Sequence, residues 1–322
     1  MANTVVVTGA SGFIGLPLCS LLVRSGADVR AAVRRESAAL ADLTTDPSTG
    51  GRLRQVVVGD LATATDWSAA LDGAEAVVHL AARAHVASGQ GQADSARFRD
   101  INIDATLRLA EAAARARVRR LVFVSSAKAR DDTGDPYSRS KAEAERLLGE
   151  ASRHPGLECV IVRPPLVYGP RVKANFLRLM RLVDSGVPLP LASVANHRSL
   201  LFVGNLADAL YTCIGHPRAA GQAFTVSDGE DVSTPELVRR IARALGRPAR
   251  LFPFPVPLLR LAGALAGQKQ AIDRLTGDLA IDSSPIRAAL GWRPPFSMEY
   301  GLAETAAWYR ARWSREPEAL ES

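Results

Sequence analysis

Tyr137 and Lys141 are the pair of side chains in this sequence best suited to acid–base chemistry. They stand four positions apart in a stretch of helical periodicity at residues 137–150, so both project from one face of the helix. An ammonium one turn away stabilises a phenolate, and such a tyrosine can pass a proton to or from a substrate hydroxyl. Ser126, which follows the apolar run at 121–125, can hold the same oxygen. We therefore predict Tyr137, Lys141 and Ser126 as catalytic residues.

A glycine-rich turn at residues 8–15, TGASGFIG, indicates a dinucleotide site. It lies between a β-branched run and a helical pattern, which is the setting that such a motif needs. Gly9 permits a tight turn, Gly12 lets the backbone approach a pyrophosphate, and Gly15 lets the helix pack close to the strand. The helix N-terminus then presents free N–H groups to the phosphates. Together with the tyrosine pair, the turn predicts hydride chemistry with a nicotinamide cofactor.

The end of the second predicted strand, at residues 28–33, bears on which dinucleotide binds. An NAD site uses a carboxylate there to hold the ribose hydroxyls, but this sequence has Val33 followed by Arg34 and Arg35. Two guanidiniums suit the 2′-phosphate of NADP, although both could simply be solvated. We expect NADP(H) to be favoured over NAD(H).

Other predicted cofactor contacts follow the third and fourth predicted strands. Asp60 is a candidate for the adenine amino group, and small residues after the fourth strand let the backbone pass under the nicotinamide ribose. His79, in that strand, is interpreted as a core histidine. The predicted cofactor set up to this point is Gly9, Ser11, Gly12, Phe13, Ile14, Gly15, Arg34, Arg35, Asp60, Leu61, Leu80, Ala81, Ala82 and Lys141.

The order of these elements predicts an α/β fold. Strands alternate with helices up to residue 165, which implies a Rossmann, doubly wound parallel sheet with right-handed crossovers. Beyond Pro165 prolines become frequent and the alternation loosens. We predict a dinucleotide-binding domain at 1–165 and a smaller, mainly substrate-binding C-terminal lobe at 166–322, from which the chain returns to the sheet. A loop or a poorly packed insertion is expected at 37–51, and one long helix at 94–117.

The charge balance suits an anionic small-molecule ligand. Lys and Arg outnumber Asp and Glu by 40 to 33 in 322 residues, for a formal charge of +7. An ordinary solvated surface accounts for the same numbers. Nucleic-acid binding is disfavoured, because the basic residues form no stripe and few aromatic residues lie among them.

Cysteine usage and apolar runs bear on location. The three cysteines are far apart and show neither a disulfide framework nor a metal spacing, so we expect reduced thiols, no metal and a cytoplasmic protein without a signal peptide. The longest apolar stretch, 253–267, contains Arg260 and is too short to span a bilayer. It predicts an amphipathic helix packed in the C-terminal lobe rather than one on a membrane surface.

Taken together, the motifs resemble the extended short-chain dehydrogenase/reductase family, of the NAD-dependent epimerase/dehydratase type, over nearly the whole chain. The resemblance is carried by FVSSA at 123–127, by Asn102 ahead of Thr106, by RPPLVYGP at 163–170 and by LGW at 290–292. It implies further cofactor contacts from Asn102 and Pro164. It also implies a homodimer formed through the helices at 94–117 and 137–150.

Within that family, the chain is most similar to bacterial UDP-glucose 4-epimerases and to UDP-N-acetyl-4-keto-hexosamine 4-reductases of surface-polysaccharide pathways. The resemblance implies hydride transfer at C4 of a UDP-hexose or UDP-N-acetylhexosamine, as a 4-keto reductase or a 4-epimerase. It implies substrate contacts from Ser126, Asn175, Arg198 and Arg274.

Two departures from the family keep alternatives open. Ser126 and Tyr137 are 137 − 126 = 11 positions apart, about half the family's usual gap, and Leu166 stands where the family has an Asn. The alternatives are an NADPH-dependent reductase of a non-sugar carbonyl and a catalytically impaired, cofactor-binding relative.

Overall fold

The computed structural model describes residues 4–45, 52–63, 65–83, 96–130, 136–151 and 156–313. The chain divides into two compact units. The first comprises Met1–Pro164, Leu206–Val226 and Ser283–Arg293, and the second comprises Pro165–Asn205, Ser227–Asp282 and Pro294–Ser322. Two late segments of the chain therefore belong to the first unit.

The strands of the described residues are, in chain order, β1 Thr4–Thr8, β2 Asp28–Val33, β3 Leu53–Val57, β4 Ala76–His79, β5 Arg120–Val124, β6 Glu158–Arg163, β7 Leu166–Tyr168, β8 Arg198–Phe202, β9 Ala223–Thr225 and β10 Asp231–Val232. The α-helices with defined bounds are α1 Gly15–Arg24, α2 Ala38–Thr45, α3 Ser68–Leu71, α4 Ala105–Arg115, α5 Pro136–Ala151, α6 Ala174–Asp184, α7 Val203–Gly215, α8 Thr234–Leu245, α9 Val256–Leu265, α10 Lys269–Thr276, α11 Ser284–Leu290 and α12 Met298–Trp313.

The first unit is built on a seven-stranded sheet in the order β3-β2-β1-β4-β5-β6-β9. All neighbouring strands in it are parallel. The central strands β1, β4 and β5 are almost wholly buried, as their continuous apolar runs require in a sheet covered on both faces. The predicted Rossmann-like α/β fold with a doubly wound parallel sheet is confirmed.

The second unit contains a three-stranded sheet in the order β10-β8-β7. Strand β8 pairs antiparallel to β10 and parallel to β7. Asp228 organises this unit: its carboxylate accepts hydrogen bonds from the Tyr168 hydroxyl at 2.9 Å, the Phe202 amide at 2.8 Å and the Asn205 side chain at 2.7 Å. Burial raises the pKa of Asp228, although these donors oppose the shift.

Two predicted elements differ in the structure. The prediction of a loop over 37–51 is wrong for Ala38–Thr45, which is helix α2, because the Ala- and Leu-rich start of that segment buries Leu40 completely. The single helix predicted at 94–117 is interrupted. A π-helical turn spans Arg99–Asp104, and α4 begins only at Ala105. Such a turn inserts an extra residue into the helix and often marks a functional site.

Helix α9 corresponds to the apolar stretch at 253–267. The prediction of a packed amphipathic helix there was right only in part. Leu259 and Gly263 are buried, but Leu258, Leu261 and Leu265 are exposed. Periodicity identifies an apolar face without showing whether anything packs against it. Among the described residues, no helix is both long and apolar enough to cross a membrane.

Candidate active site

The glycine-rich turn lies at the point in the sheet where the order of the strands reverses. Strands β1 and β4 are neighbours, and the strands that follow each of them extend to opposite sides. Ligands of doubly wound sheets bind at such a switch point. Gly9 has φ +66°, and a Cβ on it would lie 2.9 Å from the Ala81 amide nitrogen. A Cβ on Gly15 would collide with the Gly9 carbonyl oxygen, so the turn closes only with glycine at both positions.

Helix α1 begins directly after this turn, and its Leu16 and Leu18 amides donate to the Gly12 and Ile14 carbonyls at 3.2 and 3.3 Å. Its N-cap residue, Ile14, provides no side-chain hydrogen bond, and within the described structure the first turn holds no acidic residue. The positive end of the helix dipole favours an anion there. Ser11 and Gly12 are exposed, while Phe13 and Ile14 are half-buried. The residues of the turn therefore fit a dinucleotide pyrophosphate.

A buried hydrogen-bond network supports the glycine-rich turn, and sequence reasoning missed it. The Thr8 hydroxyl accepts from the Leu80 and Ala81 amides at 3.2 Å each and lies 2.7 Å from His79 Nδ1. His79 Nε2 lies 3.0 Å from the Thr106 hydroxyl, which donates to the Asn102 carbonyl. These roles require His79 to carry its proton on Nε2 and to accept from Thr8 on Nδ1.

His79 is neutral in this network. Burial, reinforced by the charge of Lys141, lowers its pKa to about 3. The side chain is 1% exposed, so the interpretation of His79 as a core histidine is confirmed. Its effect on the site is indirect: it holds Thr8, and Thr8 holds the backbone that faces Gly9.

Lys141 is anchored at the end of β5. Its Nζ donates to the Val124 carbonyl at 2.8 Å and lies 4.5 Å from the centre of the Phe123 ring. The side chain is 2% exposed, and this burial lowers its pKa to about 7, while Glu145 opposes the shift. Because Ser126 is two residues after Val124, the contact brings the N-terminal part of α5 to the strand end that carries Ser126.

Tyr137 lies one turn before Lys141 in α5 and is half-buried. Its ring is tilted by 58° to that of Phe98, with 6.4 Å between centres. The helical turn that carries Tyr137 is held by Ser140. The Ser140 hydroxyl donates to the Tyr137 carbonyl at 2.7 Å and accepts from Asn102 Nδ2 at 2.9 Å. The π-helical turn thus holds the backbone of the tyrosine turn through Asn102.

Asn102 was predicted as a cofactor contact, and the structure gives its amide several protein partners. Its Oδ1 accepts from the Arg83 amide at 2.8 Å, and its Nδ2 donates to the Arg83 carbonyl at 3.1 Å as well as to Ser140. Both amide hydrogens are therefore engaged by the protein. No sequence signal other than its position before Thr106 pointed to this bracing arrangement.

The two serines after β5 differ in their partners. Ser126 Oγ accepts from the Lys128 amide at 3.3 Å and is half-buried. Ser125 is 3% exposed, and in the described part of the chain its Oγ has no hydrogen-bond partner. A buried hydroxyl without a partner costs free energy, and it is a feature that a bound ligand can satisfy.

The remaining predicted cofactor residues lie at strand ends of the first unit. Arg34 and Arg35 are exposed just after β2, and Leu80, Ala81 and Ala82 are half-buried after β4. Asp60 is exposed after β3, with one carboxylate oxygen 3.0 Å from the Ala62 amide. Leu61 and Pro164, two further predicted cofactor residues, make hydrogen bonds through their backbone. The Leu61 carbonyl accepts from Arg108 at 2.8 Å, and the Pro164 carbonyl accepts from the Ala127 amide at 2.9 Å.

The other predicted substrate residues belong to the second unit. Arg198 opens β8, and its guanidinium donates to the Arg274 carbonyl, which brings these two residues together. Burial lowers the pKa of Arg198, partly offset by Asp278. Asn175 is exposed in the first turn of α6 and follows Ala174, a residue with φ +53°. Leu166 is half-buried in β7.

The short connection from Ser126 to Tyr137 is described only in part. A 3₁₀ turn spans Ala127–Arg130, and α5 begins at Pro136. Residues 131–135, which make up the rest of the shortened loop, lie outside the described residues.

Burial of Lys141 makes the stability of the protein depend on pH. Between pH 7 and the ordinary lysine pKa of 10.5, the unfolded chain binds a proton that the folded chain lacks. The free energy of unfolding should therefore rise with pH in this window, by at most about 1.4 kcal/mol per pH unit. Lys141→Met should remove that rise, as measured by urea unfolding at several pH values from 6 to 9. Lys269→Met, on an exposed helix, is the control, and parallel curves for the wild type and Lys141→Met would contradict the prediction.

The glycine turn at the switch point and the Tyr–Lys pair at the end of β5 define a Rossmann-fold oxidoreductase of the nicotinamide-dependent class. The model of the NAD dependent epimerase/dehydratase family matches residues 5–227, and the chain belongs to this family.

Relatives agree with this assignment. The chain is 40% identical over 323 residues to a UDP-glucose 4-epimerase of Vibrio cholerae, with 95% of each protein covered. It is similar to the solved structure of MoeE5 in complex with UDP-glucuronic acid and NAD, with 26% identity, a TM-score of 0.74, and 96% and 99% of the two chains covered. UDP-glucuronic acid 4-epimerase from Bacillus cereus, solved with NAD, has the same fold, with a TM-score of 0.77 at 20% identity and 97% and 98% covered.

Proposed function

We propose that this protein is a nucleotide-sugar oxidoreductase that acts at C4 of a UDP-hexose or UDP-N-acetylhexosamine. The observation that carries the proposal is the contact between Lys141 and the Val124 carbonyl, which holds the helix of Tyr137 at the strand end of Ser126. The name of the 40%-identical relative supports the substrate class. The net reaction is either 4-epimerisation or reduction of a 4-keto sugar.

In the proposed mechanism, Tyr137 moves the proton at the C4 oxygen. During oxidation the phenolate takes this proton, and during reduction the phenol returns one to the new alkoxide. Ser126 Oγ holds the same oxygen in place, and the Lys141 ammonium stabilises the phenolate. A bound nicotinamide supplies the acceptor or donor of the hydride at C4. Lys141 also serves as a contact for the nicotinamide ribose.

Three residues of the second unit are proposed to bind the diphosphate and sugar. Arg198 and Arg274 provide positive charge suited to a pyrophosphate, and the contact between them places both at the start of β8. Asn175 provides an exposed amide. The positive φ of the preceding Ala174 is a backbone conformation that non-glycine residues rarely adopt outside functional sites.

The function can be tested by product analysis with the purified protein. UDP-glucose and UDP-N-acetylglucosamine would each be incubated with NAD⁺, and a UDP-4-keto-hexose with NADPH, followed by NMR of the sugar. We expect either C4 inversion without net cofactor turnover or one NADPH consumed per 4-keto sugar. If there is no turnover and UDP does not bind at millimolar concentration in calorimetry, the proposal fails and a non-sugar carbonyl becomes the better substrate class.

We also propose that the site prefers NADP(H). Arg34 and Arg35 are exposed beyond β2, and no carboxylate ends that strand. The NAD found in the similar structures lends this preference no support, so it depends on the two guanidiniums alone. Replacing both by alanine should weaken NADP⁺ binding at least roughly tenfold and leave NAD⁺ binding unchanged, because charge-assisted contacts to a phosphate are lost.

Titration of both dinucleotides by intrinsic fluorescence would measure this effect. The double variant Arg115→Ala, Arg218→Ala makes the same change in charge at exposed positions and should bind both as the wild type does. A wild-type protein that binds NAD⁺ more tightly than NADP⁺ would contradict the preference.

Two further parts of the proposal concern assembly and location. A homodimer through α4 and α5 is proposed from the family resemblance, and sedimentation equilibrium would test it. A cytoplasmic location is supported by Cys19, Cys159 and Cys213, all of which are buried free thiols.

A further inference from the structure

Helix α9 presents an unusual apolar surface. Leu258, Leu261 and Leu265 are 51%, 56% and 82% exposed, and their spacing places them on one face of the helix. Phe252, just ahead of the helix, is 41% exposed. We call these four residues the leucine face. Large apolar side chains exposed as a group are a feature of interaction surfaces.

The opposite side of α9 shows why the leucine face is held outward. Leu259 and Gly263 are buried on that side, and a Cβ on Gly263 would lie 2.5 Å from Ile272 of α10. Helices α9 and α10 therefore pack closely along the other side of α9. Phe252 is fixed separately, because its amide donates to the Leu189 carbonyl at 3.1 Å and its carbonyl accepts from the Ala192 amide at 3.2 Å.

The segment that carries the leucine face is rich in basic residues. Residues 250–276 contain Arg250, Arg260, Lys269 and Arg274 and only one acidic residue, Asp273. All four basic residues are exposed, and none of them forms an ion pair in the described part of the chain. Arg260 instead donates to the Thr276 hydroxyl at 3.1 Å. The segment therefore exposes an apolar face and has a net positive charge.

We propose that α9 and α10 dock this protein on an anionic lipid surface. Exposed leucine and phenylalanine in a segment rich in arginine and lysine are typical of helices that lie in the plane of a membrane interface. The leucines would enter the boundary of the acyl chains, and Arg250 and Lys269 would contact the lipid phosphates. A two-fold contact with a second copy is disfavoured, because it would bring two copies of the same net-positive segment together. The proposal is independent of the chemistry at the active site.

Vesicle binding tests this docking directly. The full-length protein would be floated on a density gradient with vesicles of phosphatidylcholine alone or with about one third phosphatidylglycerol. We expect it to float with the anionic vesicles and to remain largely unbound with the neutral ones. High salt should release most of it, because screening weakens the attraction between exposed charges.

Two variants separate the apolar and cationic contributions. The triple variant Leu258→Gln, Leu261→Gln, Leu265→Gln should bind anionic vesicles roughly tenfold less, since it loses the buried apolar area. Arg250→Gln with Lys269→Gln should bind less well to anionic vesicles only. The control is Leu182→Gln with Val187→Gln, which replaces exposed apolar residues elsewhere in the second unit and should bind normally.

The proposal has clear contrary outcomes. It is overturned if the wild type floats with neither vesicle, or if the triple variant floats as well as the wild type. It is also overturned if the wild type is a dimer that the triple variant dissociates, because a second copy then covers the leucine face. Circular dichroism melting curves of all variants establish that they are folded, as expected for changes at exposed positions.

Discussion

Replacing Tyr137 by phenylalanine is expected to reduce turnover by about 10²–10⁴-fold, the usual range for losing a general acid–base group. The change removes one hydroxyl from a half-buried ring and leaves its contact with Phe98 in place. Protein stability and dinucleotide affinity should therefore stay near wild-type values. Steady-state kinetics with the substrate identified by product analysis, together with cofactor titration, would measure both effects.

A matched substitution distinguishes this loss from a general effect of removing a tyrosine hydroxyl. Tyr300 is 46% exposed and stacks on Phe296 with 4.9 Å between ring centres. Tyr300→Phe should retain wild-type turnover. If Tyr137→Phe turns over as fast as Tyr300→Phe, Tyr137 does not transfer the proton.

Replacing Gly15 by alanine is expected to abolish tight dinucleotide binding. The new Cβ would meet the carbonyl oxygens of Gly9 and Ala10, which are backbone atoms that cannot rotate away. The turn must therefore move, and overpacking of this kind typically costs about 1–3 kcal/mol of stability. Isothermal calorimetry should show affinity lower by at least tenfold, and thermal melting should show the loss of stability.

Gly149→Ala is the control for this experiment. Gly149 lies within α5, and a Cβ there would meet nothing within 4 Å. Alanine should stabilise that helix by roughly 0.5–1 kcal/mol relative to glycine and leave dinucleotide binding unchanged. Wild-type dinucleotide affinity in Gly15→Ala would show that the turn does not approach the cofactor as proposed.

The parts of the site that could be predicted from the sequence are those that depend on residues close together in the chain. The turn at Gly9–Gly15 follows a strand and opens a helix within a few residues, so its geometry depends on near neighbours. The same holds for Tyr137 and Lys141, whose spacing matches one helical turn. The alternation of strands and helices was enough to predict the parallel sheet.

The rest depends on which strands become neighbours and in what register. Thr8 and His79 are 71 positions apart, and they meet because β1 and β4 pair directly. The bracing of Tyr137 by Asn102 requires the π-helical turn. No residue in the sequence marks this turn, because the turn lies within a continuous helical pattern. The outward direction of Leu265 was missed for a related reason: a hydrophobic periodicity does not identify what covers it.

Strand β9 is synthesised long after its partner β6, which affects the folding of the nascent chain. Strand β9 pairs with β6, and Ala223–Thr225 emerges from the ribosome well after Glu158–Arg163. Until then β6 is an edge strand with unpaired backbone groups, which are a template for aggregation. A gene fragment ending near residue 165 would therefore encode an incomplete sheet, and a nascent chain stalled there would depend on chaperones that shield this edge.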